Sequence, residues 1–204
     1  MDWNIENSFA EKGYRIICGT DEAGRGPLCG NVVAGACILP AGIVLERLND
    51  SKKLTEKRRD ALYELIVENA ISWAVAEATP AEIDEYNILN ASQLAMRRAV
   101  AKLSPTPDLV LVDGNVARDF PIHAVPLVGG DALSPSIAAA SILAKVTRDR
   151  QLYELDKIYP TLGLAAHKGY PTKAHYAALK EYIAENGEIP PIYRRCFLKN
   201  LDEK

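Results

Sequence analysis

Asp21 and Glu22 stand side by side where an apolar run gives way to Gly24-Arg25-Gly26-Pro27. Two carboxylates, a tight loop and a cation within seven residues are the parts that hold a divalent metal beside a phosphate. Two more acids follow apolar runs. Asp113 closes Leu109-Val110-Leu111-Val112, and Asp131 comes just after Gly129-Gly130. Four carboxylates at one place would repel and be forced to take up protons. Mg²⁺ or Mn²⁺ relieves this, because hard cations prefer oxygen ligands. Two such ions roughly 4 Å apart activate a water and stabilise the leaving oxygen of an in-line displacement at phosphorus. Metal-dependent phosphodiester hydrolysis at Asp21, Glu22, Asp113 and Asp131 is therefore the expected chemistry. Any one of these acids alone reads as a turn or capping residue; four at strand ends make a site. Asp149, between Arg148 and Arg150, reads instead as part of a helix-surface ion pair.

The elements that must position these acids follow from hydrophobic period and punctuation. Strands are predicted over 14–20, 32–39 and 72–78, a buried one over 109–112, and a fifth over 122–128. Thr55 caps a helix over 56–69, Thr79-Pro80 opens another, and a helical pattern follows over about 91–103. Ser134-Pro135 starts a long helix whose first half, Ile137 to Ala144, is small, apolar and expected to be buried. Thr172 caps a last helix, with Tyr176, Leu179 and Ile183 inward, stopped at Asn186-Gly187. The sum is α/β: a mixed five-stranded sheet flanked by helices, with a helical C-terminal part. We expect one domain over 1–204, with a sheet-and-helix core to about residue 165 and a helical segment over 166–204.

In such a sheet the ends of strands parallel to the first gather at one edge, the usual ligand crevice. Neighbouring residues on a strand point to opposite faces, so Asp21 and Glu22 share an ion only if the strand breaks there. The glycine loop from Gly24 is expected to supply that break.

Composition narrows the setting. With 48% hydrophobic and 25% charged residues in a chain of 204, a folded core is expected and disorder is not. The net charge of −3 means that a polyanion must be met by a local cationic surface. The four cysteines lack zinc spacing, the start is polar rather than signal-like, and no apolar run approaches the roughly 18–20 residues of a membrane span. A reducing, cytoplasmic setting away from membranes is expected.

Beyond these readings, the chain resembles bacterial ribonuclease HII, a type 2 ribonuclease H, over nearly its whole length. The matching runs are T-D-E-A-G-R-G-P-L from Thr20, N-D-S-K-K-L from Asn49, V-D-G-N from Val112, A-A-S-I-L-A-K-V-T-R-D from Ala139 and H-K-G-Y-P-T from His167. The tail Tyr193-Arg194-Arg195-Cys196-Phe197 also looks like the family's. Resemblance implies the ribonuclease H fold and endonucleolytic cleavage of the RNA strand of RNA–DNA hybrids. It also implies incision 5′ to ribonucleotides embedded in duplex DNA, leaving 5′-phosphate and 3′-hydroxyl ends, in ribonucleotide excision repair and DNA replication. Asp21, Glu22, Asp113 and Asp131 match the metal-binding catalytic acids. Gly24, Arg25 and Gly26 match the loop that reads the ribonucleotide, and Tyr170 matches the tyrosine that packs on a sugar at the junction.

For phosphates, Lys52, Lys53, Lys145 and Lys168 are the candidates, with Arg194 and Arg195 further ones, while Lys57, Arg58 and Arg59 read as a solvated helix face. Three positions depart from the family's pattern: Gly129 where lysine is common, Cys196 where serine is usual, and Asn31 for a common proline. Nothing in the sequence demands a second copy, and a monomer is expected. A junction-cutting nuclease on the same fold and a non-catalytic hybrid binder are the competing readings. The glycine–tyrosine pair disfavours the first, and intact acids disfavour the second.

Overall fold

The computed structural model describes residues 1–45, 48, 54–199 and 201, so Lys52 and Lys53 lie outside the described residues. Five strands, β1 (Ile17–Ala23), β2 (Val32–Ile38), β3 (Ser72–Ala78), β4 (Leu109–Asp113) and β5 (Ala124–Leu127), form one sheet in the order β3-β2-β1-β4-β5. β1 pairs antiparallel with β2 and β2 with β3, whereas β1–β4 and β4–β5 are parallel. This is the mixed α/β sheet expected. β2 and β4, on either side of β1, carry almost continuous apolar side chains because both faces are covered.

β1 starts three residues later than expected and runs through Ala23. The backbone N–H groups of Arg15 and Ile16 are taken by the Asp108 carboxylate, at 2.8 and 3.0 Å, and so are unavailable to a ladder. At the other end, pairing with β2 holds through Ala23↔Val33. The strand therefore does not break between Asp21 and Glu22, as the sharing of one ion had seemed to require.

Helices α1 (Asn4–Glu11), α2 (Glu56–Asn69), α3 (Pro80–Val100), α4 (Pro135–Ile158), α5 (Leu164–His167) and α6 (Lys173–Asn186) complete the described secondary structure, apart from short 3-10 turns. The expected pieces at Thr79-Pro80 and 91–103 are two halves of α3, kinked at Asn87 (φ 65°, ψ 164°). The Asn87 carboxamide oxygen accepts from the N–H groups of Leu89 and Asn90, capping the second half of the helix. α1 was not anticipated, because its short pattern is mostly polar.

α3 covers one face of the sheet, burying Ala91, Ala95, Met96 and Ala99 against Cys18, Ala34, Ala36, Val110 and Val112. α4 covers the other. Its first half is buried as expected, and it lies almost in contact with the strands. A Cβ on Gly19 would come within 2.2 Å of the Ile137 nitrogen, and one on Gly35 within 2.3 Å of the Ala140 carbonyl oxygen. Only glycine lets a helix backbone approach a sheet that closely. The second half of α4 packs with α6 and the tail through Leu152, Leu162, Leu164, Tyr176, Leu179 and Tyr193. Among the described residues, no helix is long and apolar enough to cross a membrane.

Candidate active site

The register of β1 and β4 brings the first acids together. Thr20 pairs with Val112 in parallel, so Asp21 and Asp113 are the next residues on adjacent strands, a strand spacing of about 4.8 Å apart. Both lie on the α4 face: Asp21 is paired with Gly35, which meets α4, and Asp113 continues the alternation of Leu109 and Leu111, which pack on Ile137. Asp131 sits in a 3-10 turn, Gly130–Ala132, that leads into α4, and its N–H donates to Asp113 Oδ1 at 3.3 Å. Glu22, one residue on from Asp21, points toward the other side of the sheet edge. There it accepts from Arg25 Nη1 at 3.2 Å, an ion pair spanning the turn into the glycine loop.

Asp21 is only 4% exposed. Burial holds its carboxyl well above the usual carboxylate range, and the charges of Glu22 and Asp113 push it further the same way. The Ser141 hydroxyl on α4 and the Glu22 N–H, 2.7 Å from Asp21 Oδ1, offset part of this. Burial also raises Glu22; Arg25 opposes it, and Asp113 adds to it. Among the described residues, no three His, Cys, Asp or Glu side chains close into a ready-made metal cage. Asp21 and Asp113 share the α4 face of the sheet edge instead, while Glu22 turns to Arg25 on the other side. The donor set still fits a hard divalent cation. It is all carboxylate, and its most buried member is made costly by negative neighbours that a cation would neutralise.

Next to the acids the chain leaves β1 as the 24–30 loop, which is shaped by a buried guanidinium from the far end of the sequence. Arg194 is wholly buried and donates to the carbonyls of Gly24 (2.7 Å), Arg25 (3.1 Å), Pro27 (2.7 Å) and Gly30 (2.9 and 3.0 Å). In a trans peptide the N–H points opposite to the C=O. With the Gly24 and Arg25 carbonyls turned to Arg194, the N–H groups of Arg25 and Gly26 face away from it, on residues that are exposed. A second buried guanidinium, Arg148, donates to the carbonyls of Cys29 and Lys168, tying this loop to 167–171. Gly24 (φ +98°) has no alternative, since a Cβ there would meet Arg148 Nε at 2.1 Å. Leu28 N–H donates to the Gly169 carbonyl at 2.8 Å. The half-exposed Tyr170 ring, as a result, stands against Gly26, with Cε1 3.4 Å from where a Cβ would sit.

The expected cations fare differently. Arg194 contacts backbone carbonyls in the interior, so it is not a phosphate ligand. Lys168 Nζ is buried without a hydrogen-bond partner, 3.4 Å from the Tyr153 ring centroid, rather than on offer to a phosphate. Lys145 donates to Asp149 at 2.7 Å. Asp149 is an ion-pair residue as expected, but 4% exposed between α2 and α4 rather than on the surface, with Arg59 on its other oxygen at 3.8 Å. Arg59 thus leaves the solvated face to which Lys57 and Arg58 belong. Gly129 is left-handed (φ +66°) with nothing within 4 Å of a would-be Cβ, a conformation that suits glycine better than a residue with a side chain.

Sequence reasoning missed Ser141, Arg148, His175 and Glu6. Ser141 carried a faint signal, as a hydroxyl on an otherwise apolar helix half. The others gave none that spacing could expose.

Residues 18–200 match the family model described as Ribonuclease HII. Curated relatives named Ribonuclease HII include one from Shewanella sp. (strain MR-7), 56% identical over 89% of this chain and 87% of its own length. Another, from Polynucleobacter necessarius, is 54% identical over 89% and 91%. Among solved structures, the ribonuclease H2 from Pyrococcus horikoshii superposes with a TM-score of 0.80 at 30% identity, covering 93% of this chain and 98% of that one.

Proposed function

This chain belongs to the ribonuclease HII family and is a metal-dependent ribonuclease; from that premise we propose that it cleaves the RNA strand of RNA–DNA hybrids and incises 5′ to single ribonucleotides in duplex DNA. The products are 5′-phosphate and 3′-hydroxyl ends, and the work is ribonucleotide removal accompanying DNA replication and repair. One observation carries the reading: the acids at the ends of β1 and β4 stand beside an exposed glycine loop that a half-exposed tyrosine ring meets at Gly26.

In this reading Asp21, Glu22, Asp113 and Asp131 hold Mn²⁺ or Mg²⁺. Bound in a pair, such ions supply an activated water and stabilisation of the leaving oxygen. The remaining work falls to the chain's own groups. Ser141 and the Glu22 N–H keep the Asp21 carboxylate oriented. Arg25 holds Glu22 against the loop, so that the acid end and the reading loop move together. The Arg25 and Gly26 amides can approach a 2′-hydroxyl, the group that distinguishes RNA from DNA. The Tyr170 ring, set against Gly26, packs on the sugar beside the scissile step. The substrate partner is a hybrid or a ribonucleotide-containing duplex, met by one copy of the chain. The setting is cytoplasmic, supported by four free cysteines, three of them buried.

The test is a DNA duplex carrying a single ribonucleotide, incubated with Mn²⁺, with Mg²⁺ and with chelator. Incision 5′ to the ribonucleotide only when metal is present is expected. Cutting of all-DNA junctions, or binding without cutting, would replace the reading with another.

A further inference from the structure

The loop that presents Tyr170 is held by two histidines of opposite tautomer. His167 and His175 stack with ring centroids 4.0 Å apart. Nδ1 of His175 lies 2.9 Å from the Tyr170 carbonyl oxygen. A carbonyl can only accept, so that nitrogen carries the ring's proton and Nε2 is bare. The Tyr193 hydroxyl fills Nε2, donating at 2.6 Å. His167 is wired the other way round. Its Nδ1 accepts the Gly169 N–H at 3.2 Å, so its proton is on Nε2, 2.9 Å from the Leu162 carbonyl. With Leu28 on the Gly169 carbonyl, the peptide groups on both sides of Tyr170 are fixed.

His175 is wholly buried, and burial lowers its pKa to about 4, so the ring is neutral as the wiring requires. The Tyr170 side chain, by contrast, is 47% exposed and touches Gly26 on one side. A ring so lightly packed takes its position from its backbone.

We propose that His175 is a positioning residue for substrate choice: its Nδ1–H, held in that tautomer by Tyr193, sets the Tyr170 backbone and hence the ring that meets an isolated ribonucleotide. The inference rests on the reading of Tyr170 given above. A long hybrid engages the protein through many sugars and phosphates, so a displaced ring matters less there. An isolated ribonucleotide offers one sugar junction, and a displaced ring is felt fully.

The experiment measures the ratio of two rates, incision at a single ribonucleotide and cleavage of a long hybrid, under the same metal. His175→Phe keeps the stacked ring and loses both hydrogen bonds. His175→Gln can reach Tyr193 but not the Tyr170 carbonyl, whereas the amide of His175→Asn occupies the place of Nδ1. The ratio should fall about tenfold in the Phe and Gln variants, the scale of one buried hydrogen bond, and recover in the Asn variant. Rates that fall in step on both substrates would reduce His175 to a structural residue and overturn the inference. Tyr193→Phe, a milder change, frees the tautomer and decides the matter the same way if the His175 variants do not fold. Tyr170→Ala runs beside them. An unchanged ratio there overturns the Tyr170 reading and this inference with it, while an unchanged ratio confined to the His175 and Tyr193 variants overturns this inference alone.

Discussion

The two ends of the candidate site are built by different means. At the acid end, Asp21 and Asp113 are neighbours because β1 and β4 pair in parallel, and every hydrogen bond of that ladder enforces the arrangement. At the reading end, the 24–30 and 167–171 loops have no ladder. Scattered backbone bonds, such as Leu28 to Gly169 and the isolated bridge Cys29–Tyr193, hold them, and three buried side chains from elsewhere in the chain complete their shape: Arg148, Arg194 and His175. A collectively fixed geometry tolerates changes in its functional groups, since the scaffold does not depend on them. A geometry hung on single side chains does not. Function and stability should therefore separate at the first end and travel together at the second.

The largest effect tests the acid end. Asp21→Asn and Asp113→Asn should each reduce single-turnover cleavage on the order of a thousandfold or more. Thermal unfolding should be unchanged or shifted upward, since Asp21→Asn removes a buried charge held against like charges. Turnover near that of the parent in either variant would break the metal assignment. At the reading end, Arg194→Lys removes a planar fork that reaches four carbonyls. A compact ammonium cannot span them, and a loss of about 3 kcal/mol in urea unfolding is expected, together with slower cleavage of every substrate. A lysine variant as stable as the parent would show that the loop shapes itself.

A subtler contrast is in pH. His175 titrates near 4 in the folded chain against 6.5 for an ordinary histidine. Between those values the unfolded chain binds the extra proton, so this contribution is complete above about pH 6.5 and lost on acidification toward 4. It amounts to about 3 kcal/mol. Urea midpoints across that range should fall in the parent, and His175→Asn should remove that part of the slope. The smallest expected effect is at Lys168, whose amine is buried over Tyr153. Lys168→Met should leave the salt dependence of substrate binding nearly unchanged. A slope reduced by about one would restore the lysine to the phosphate contacts.

The same contrast explains what could be read in advance. The strands along the chain, the buried first half of α4 and the places of Asp21 and Asp113 near the ends of β1 and β4 are local patterns of period, apolar run and glycine, and each was visible in the sequence. The exact span of β1 was not, because Asp108, more than ninety positions away, takes the amides of Arg15 and Ile16. Arg194 and Lys168 looked like any surface cations, since charge and spacing do not say whether a long side chain turns inward. His175 was invisible for the same reason: a tautomer depends on what the ring meets, and those partners are brought by the fold.

Glu6 carries a practical lesson for anyone trimming this protein. It lies upstream of the family-matched stretch 18–200, yet its carboxylate is buried at the start of α4, where Ser134 donates at 2.6 Å and the Ser136 amide at 3.2 Å. A boundary drawn at the family match would discard α1 and leave those donors bare beside the turn that carries Asp131. The shortened protein would keep every recognisable motif and lose the brace beneath one of them.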